Sequence, residues 1–129
     1  MPAADFFTGL MTTARAPEEL IEAVRLPARR AGEGFAFREF GRRHGDFAIG
    51  ACAAMAGAKM ARLAVGGVAD RLEARDFGTL DGSALDDALD AFAWELEARD
   101  YLHATARYRR ELVRRFGRDM IEEARRCRA

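Results

Sequence analysis

Apolar residues in the last third of the chain recur at helical spacing. Leu85 and Leu89 begin a stripe at steps of three and four, and acidic residues lie outside it. This pattern predicts a helix. Ser83 is suited to cap its N-terminus, and acids near the start suit the helix dipole. The full stripe consists of Leu85, Ala88, Leu89, Phe92 and Leu96.

A second helix is predicted from about His103 to Arg126. Its apolar stripe advances in steps of four residues, while several arginines line another face. Gly117 falls inside this stretch and predicts a kink or a break. The stripe is Tyr108, Leu112, Phe116 and Met120, and the arginine face is Arg110, Arg114 and Arg118.

Two apolar runs in the middle of the chain predict a β-hairpin. They extend over Asp46–Met55 and Ala61–Val68, and Gly57-Ala58-Lys59 supplies the turn between them. Because alanine is a poor strand former, a helix over Phe47–Ala56 is the alternative. The pair Gly66-Gly67 ends the second strand, as a bulge or a close backbone approach.

The first third of the chain gives weaker signals. Pro2–Thr13 is predicted to be a short helical turn followed by a loop. Alternation in Leu20–Leu26 favours a strand, with a short helix as the alternative. Gly34–Arg43 carries three phenylalanines and fits either extended structure or one helical turn. The fold class expected is α+β: a small antiparallel sheet of about three strands with helices packed on one face.

The composition restricts the classes of protein to which the chain could belong. A chain of 129 residues, 50% of them hydrophobic, fits one compact domain. No apolar run reaches the roughly 20 residues that span a bilayer, and no signal peptide is recognisable, so we expect a cytoplasmic protein without membrane contact. Cys52 lies in an apolar run and is expected in the core. Cys127 lies in the tail, and a disulfide between the two is not expected.

Charge is balanced overall but unevenly distributed. Asp70–Glu97 contains nine acids and two bases, whereas Arg99–Arg128 contains ten arginines and five acids. This asymmetry fits two neighbouring helices of complementary charge. A nucleic-acid surface on the second helix, through Arg107, Arg110, Arg114 and Arg118, is the alternative. Because the net charge is zero and Lys59 is the only lysine, the arginine bias runs through the whole chain, and no nucleic-acid binding is expected.

No catalytic or metal-binding motif is recognisable. His44 and His103 lie far apart, without cysteine or histidine at ligand spacing. His44 is interpreted as a solvent-facing loop residue. Asp46 precedes an apolar run, and its carboxylate is expected to accept backbone N–H groups at the start of that strand. We therefore expect no catalytic residue and no metal.

Four blocks, in order, resemble the flavin subunits of the molybdenum hydroxylases, the carbon monoxide dehydrogenase and xanthine dehydrogenase family. Arg42-Arg43 with Gly45–Ala48 resembles their R-R-x-G-D-F-A stretch. Arg62–Ala69 resembles R-x-A-x-G-G-V, and Asp100–Leu112 resembles D-x-x-H-A-S-A-x-Y-R-R-x-L. Pro2–Gly9 is similar to the segment that joins the flavin domain to the C-terminal domain.

The resemblance implies the C-terminal domain of the FAD-binding (medium) subunit. Residues 1–16 would be the linker from an FAD-binding domain, and residues 17–129 the C-terminal domain. That domain covers and supports the flavin domain while electrons pass from [2Fe–2S] clusters to FAD. Its partners would be the FAD-binding domain and the iron–sulfur and molybdenum subunits.

The glycine-rich loops that hold the FAD diphosphate in this family do not occur in the sequence. The complete subunit would bind FAD, but this chain alone is expected to bind no cofactor and to have no catalytic activity. Arg38 is the one residue that the resemblance places near the flavin. The alternative function is a stand-alone interaction or homodimerisation module without redox activity.

Overall fold

The computed structural model describes residues 1–128. Six strands and three helices follow one another along the chain. They are α1 (Ala3–Phe6), β1 (Phe7–Gly9), β2 (Thr12–Thr13), β3 (Gly34–Phe40), β4 (Gly50–Ala56), β5 (Ala61–Gly66), β6 (Glu73–Asp76), α2 (Gly82–Glu95) and α3 (Ala106–Arg126).

Strands β3 to β6 form one antiparallel sheet in sequence order, and β1 pairs with β2 in a separate hairpin. Arg38 lies opposite Cys52 between β3 and β4, and Ala54 lies opposite Leu63 between β4 and β5. Helices α2 and α3 cover one face of the four-stranded sheet. The expected α+β class is confirmed, with one more strand in the sheet than the three expected.

The core lies between that face of the sheet and the two helices. Cys52, Ala54 and Ala56 point inward from β4, and Leu63 and Val65 do so from β5. The small β4 side chains leave room for α3 to lie close to the strand, so strand formation here reflects packing rather than intrinsic propensity. The helices contribute Leu85, Leu89, Phe92, Ala93, Val113, Met120, Ile121 and Ala124.

Gly117 does not interrupt α3, so the predicted break is wrong. It faces the core, where an added Cβ would lie 2.8 Å from Leu63 Cδ2 and 3.0 Å from Leu89 Cδ2. The missing side chain therefore lets the helix approach both the sheet and α2. The buried stripe of α3 is also broader than predicted, because Arg109, Val113 and Ile121 are buried while Tyr108 is 41% exposed.

The apolar runs in the middle of the chain form β4 and β5, which confirms the predicted hairpin. Its turn is closed by the Gly57 N–H, which donates to the Met60 carbonyl at 2.9 Å. Gly67 follows β5 with φ +73°, and a Cβ there would lie 2.8 Å from the Ala48 carbonyl oxygen. The close backbone approach expected at the glycine pair is therefore present. Gly34–Arg43, which fitted either extended structure or one helical turn, contains strand β3.

The strand predicted over Leu20–Leu26 is wrong. The segment has irregular structure, and its aliphatic side chains are exposed: Leu20 by 93%, Val24 by 78% and Leu26 by 84%. Within residues 1–128 no strand pairs with it. Alternation alone cannot form a strand, because the backbone groups also need a neighbouring strand.

Other local predictions need correction. The loop expected after the first helical turn is partly the β1–β2 hairpin. Strand β6 was not predicted, because Glu73, Arg75 and Asp76 hide any apolar alternation. Ser83 lies inside α2 rather than at its cap, which is Asp81. Helix α3 begins at Ala106, and the Thr105 hydroxyl accepts from the Tyr108 N–H at 3.2 Å.

The acidic and basic segments pair as predicted. Asp90 Oδ1 lies 2.8 Å from Arg114 Nε, and Asp86 pairs with Arg118. Both contacts join α2 to α3 on the solvent side of the core. Among residues 1–128 no helix is both long and apolar enough to cross a bilayer.

Candidate functional site

The edge strand β3 presents two different faces. Phe35 and Phe37 point away from the helices, whereas Arg38 and Phe40 point toward α3. The Phe40 ring centroid lies 6.1 Å from that of Tyr108 and 6.3 Å from that of Phe116. The strand thus carries an aromatic contact to the core on one side and exposed aromatic rings on the other.

The outer face of the sheet is open, and it is largely apolar around Phe35 and Phe37. Phe35 is 49% exposed and Phe37 65% exposed. Each ring lies beside a small or apolar residue of β4, since Phe35 is opposite Met55 and Phe37 is opposite Ala53. No element within residues 1–128 packs over this face. Large exposed rings on the face of a sheet are typical of an interaction surface.

Arg38, the residue singled out by the resemblance, lies on the helix side of the sheet. Its Nη1 donates to Asp119 Oδ2 at 2.9 Å, its Nη2 lies 3.9 Å from Glu123 Oε2, and its guanidinium lies 5.4 Å from the Phe116 ring centroid. The side chain is 43% exposed. Its charge is balanced by α3, so within this chain Arg38 connects β3 to α3.

Arg109 is a buried arginine that the sequence did not single out. Only 8% of it is exposed, and its Nη1 donates to the Ile49 carbonyl at 2.5 Å and to the Gly67 carbonyl. Its Nε has no hydrogen-bond partner within residues 1–128. Arg109 therefore joins the loop before β4 and the turn after β5 to the start of α3. Arg109 lies in the Y-R-R part of the Asp100–Leu112 block, but neither that motif nor its spacing of four from Val113 predicted its burial.

The loop between β3 and β4 is exposed. The Ile49 N–H donates to the Phe40 carbonyl at 2.7 Å and closes the loop, while Phe47 at its tip is fully exposed. His44 faces solvent, as expected. The predicted role of Asp46 is wrong: among residues 1–128 its carboxylate accepts no hydrogen bond, and only its backbone N–H donates, to Arg43. Arg109, rather than Asp46, holds the start of β4.

Cysteine and metal chemistry contribute nothing further. Cys52 is buried as expected, and burial raises the pKa of its thiol to about 12. A thiol with so high a pKa is unreactive at neutral pH. Cys127 is exposed. The described part of the chain contains no group of three or more histidine, cysteine or carboxylate side chains that could hold a metal ion.

The N-terminal β1–β2 hairpin lies beside β6 and the C-terminal end of α2. Thr8 and Gly9 line a cavity of about 430 Å³ together with residues of β6 and α2. Phe6 and Phe7 pack edge to face, with centroids 5.2 Å apart, and Phe7 is 41% exposed. Leu10 and Met11 at the tip are also exposed. The aromatic pair is thus only partly buried.

Proteins with similar sequences are subunits of oxidoreductases. The nicotine 6-hydroxylase medium subunit of Paenarthrobacter nicotinovorans is 34% identical over 95% of this chain and 47% of its own length. The 6-hydroxypseudooxynicotine dehydrogenase complex subunit alpha of the same organism is 31% identical over 88% of this chain and 43% of its own length. No family model matches the chain.

A structural match supports the relationship found by sequence comparison. One chain of the carbon monoxide dehydrogenase from Hydrogenophaga pseudoflava matches with a TM-score of 0.86 and 25% identity. The match covers 99% of this chain and 49% of that one. The chain therefore spans about half the length of the proteins it matches.

Fold and sequence together show to which proteins this chain is related. The chain is homologous to the medium subunits of multi-subunit hydroxylases and dehydrogenases, and it has their fold. The particular relationship is to the medium subunits of the molybdenum hydroxylases, of the carbon monoxide dehydrogenase and nicotine hydroxylase type. The resemblance found in the sequence is confirmed.

Proposed function

We propose that this chain is the C-terminal structural domain of the FAD subunit of a molybdenum hydroxylase-type oxidoreductase. In this proposal it covers and supports the flavin-binding domain, and so assists electron transfer from [2Fe–2S] clusters to FAD. It has no catalytic role by itself. The observation that carries the proposal is the open, apolar outer face of the sheet in a chain that matches only about half of each relative.

The exposed face supports a docking role on physical grounds. Phe35 and Phe37 lie on a rigid strand whose other face is fixed by the core, so little ordering is needed when a partner covers them. Large aromatic side chains supply much of the binding energy at protein interfaces. The exposed aliphatic side chains of Leu20–Leu26, in the segment that connects the hairpin to the sheet in sequence, add further apolar surface.

The proposed division of the subunit follows from the resemblance. Residues 1–16 would be the linker from the FAD-binding domain, and residues 17–129 the supporting domain. The β1–β2 hairpin lies within this linker, and the ordered sheet begins only at Gly34. The further proposed partners are the iron–sulfur and molybdenum subunits, in a cytoplasmic complex.

We propose that this chain by itself does not bind FAD. The sequence contains neither glycine-rich diphosphate loop, and Arg38 points toward α3 with its charge balanced by Asp119 and Glu123. FAD is therefore proposed for the complete subunit only. Arg38 is proposed to lie near the flavin there, since its side chain is half-exposed on the edge strand.

An FAD titration tests this proposal. The chain is purified alone and together with the co-expressed flavin-binding half from the same source. We expect FAD to bind only when both halves are present, and the two halves to co-purify. Failure of the halves to associate, together with a stable homodimer of the chain in light scattering, would instead support the stand-alone dimerisation module.

Arg38→Ala in the reassembled subunit tests the residue assignment. We expect a lower rate of flavin reoxidation with little change in stability, because half-exposed ion pairs contribute roughly 0–1 kcal/mol. Arg99→Ala is the matched control, since Arg99 also forms an exposed ion pair, with Asp70 at 2.7 Å, and lies outside the sheet. Equal reoxidation rates in both variants would remove Arg38 from the flavin site.

A further inference from the structure

A second surface lies on the helix side of the molecule, away from the outer face of the sheet. The end of α2 and the first half of α3 border an open cavity of about 610 Å³. Two aromatic residues, Trp94 and Tyr108, and four arginines line it. The arginines are Arg107, Arg110, Arg114 and Arg115.

Trp94 is 64% exposed and contributes little to the core. The Arg110 guanidinium lies 5.0 Å from its ring centroid, which holds the indole against α3. Tyr108 is 41% exposed on the same surface. Tryptophan, tyrosine and arginine are the residue types that contribute most binding energy at protein interfaces.

Positive charge on this surface is only partly balanced. Arg114 contacts Asp90 and Glu111, and Arg115 contacts Glu111. Among residues 1–128 neither Arg107 nor Arg110 forms an ion pair. Arg110 Nη2 donates to the Leu96 carbonyl at 3.3 Å, and its buried Nε has no hydrogen-bond partner. Four arginines and two carboxylates leave an excess of two positive charges.

We propose that this surface, formed by Trp94, Arg107, Tyr108 and Arg110, docks an acidic segment of a partner protein. Carboxylates of the segment bind Arg107 and Arg110, and an adjacent apolar group packs on the exposed rings. Charge complementarity carries the assignment. A protein segment fits better than a nucleic acid, because Arg107 and Arg110 are the only two arginines of this surface without an ion pair among residues 1–128. Two cations suit a short acidic segment but neutralise few phosphates of a nucleic-acid backbone.

The proposal does not depend on the flavin role, because the surface lies on the opposite side of the sheet from Phe35 and Phe37. Loss of one interaction would therefore leave the other intact. Trp94 is the only tryptophan in the chain, so its emission reports directly on occupancy of this surface.

The experiment titrates the 129-residue chain with a fluorescein-labelled six-residue peptide of alternating glutamate and leucine at low salt. Anisotropy and Trp94 emission are both recorded. We expect saturable binding that changes the Trp94 emission and weakens as salt is added. The double variant Arg107→Ala with Arg110→Ala should bind at least about tenfold more weakly. The matched control is Arg25→Ala with Arg30→Ala, which removes the same charge from exposed positions elsewhere and should bind normally.

A second variant distinguishes loss of binding from loss of the fold. Trp94→Ala removes an exposed ring, so the far-ultraviolet circular dichroism should be unchanged while peptide binding weakens several-fold. Equal weakening in the control variant, or absence of binding at low salt, would overturn the proposal. Tighter binding of a DNA duplex than of the peptide, lost in the same double variant, would overturn it in favour of a nucleic-acid surface.

Discussion

The two faces of the four-stranded sheet differ in what covers them. The inner face, with Cys52, Leu63 and Val65, is almost fully buried under α2 and α3. The outer face carries Phe35 and Phe37, which remain half-exposed or more. The side chains of each strand alternate between the two faces, but the helices of this chain cover only one face. The comparison shows that the inner face holds the core, whereas the outer face is uncovered within residues 1–128; we propose that the flavin-binding half docks there.

Truncation of one large side chain on each face gives the largest expected difference. Leu63→Ala removes a fully buried side chain and should lower the free energy of unfolding by about 3 kcal/mol. Phe37→Ala, on the outer face, should change it by less than about 1 kcal/mol. Urea denaturation of both variants measures this. Equal losses would mean that the outer face also contributes to the folded core of this chain.

Substitution of Arg109 tests whether this buried arginine stabilises the two loops that it joins. Arg109→Ala removes the hydrogen bonds to the Ile49 and Gly67 carbonyls and should cost about 2 kcal/mol in unfolding free energy. Arg107→Ala, an exposed position two residues earlier on the same helix, is the control and should cost less than about 0.5 kcal/mol. If the two variants are equally stable, Arg109 does not hold the two loops.

A smaller effect is expected at acidic pH. A hydrogen bond from Arg75 lowers the pKa of Glu95, and a hydrogen bond from Arg115 lowers that of Glu111, both from the ordinary value of 4.5. Carboxyls with a lowered folded-state pKa stabilise the fold above their unfolded pKa, and the contribution is lost as pH falls through the folded value. Stability should therefore decline below about pH 4.5.

The double variant Glu95→Gln with Glu111→Gln isolates that contribution. Its unfolding free energy should depend less on pH below this value than that of the parent chain. Denaturant titrations at several pH values provide the measurement, and parallel pH profiles for the two proteins would show that these ion pairs contribute nothing.

The helices could be predicted from sequence because their burial repeats in register with the helix turn. Leu85, Leu89 and Phe92 all contact the core, as their spacing predicts. Strand β6 and the irregular Leu20–Leu26 segment could not be predicted, since strand formation depends on a neighbour distant in sequence. Arg109 was missed for a different reason: its partners are backbone carbonyls, which leave no signature in sequence.

Prediction of the candidate surfaces from sequence is limited in the same way. Family resemblance identified Arg38 by position, but its partners Asp119 and Glu123 become apparent only when β3 and α3 are packed together. The exposed state of Phe37 likewise follows from the absence of a covering element within residues 1–128. Sequence pattern identifies which residues share a face, and the three-dimensional packing determines whether that face is filled.

Association of the chain with the flavin-binding half of its subunit tests the central claim most directly. The affinity of the two co-expressed halves is measured for Phe37→Asp on the outer face and for Leu102→Asp, an 83% exposed residue between α2 and α3. The account predicts that Phe37→Asp weakens association at least about tenfold while Leu102→Asp leaves it unchanged. Unchanged association in Phe37→Asp, or equal loss in both variants, would contradict it.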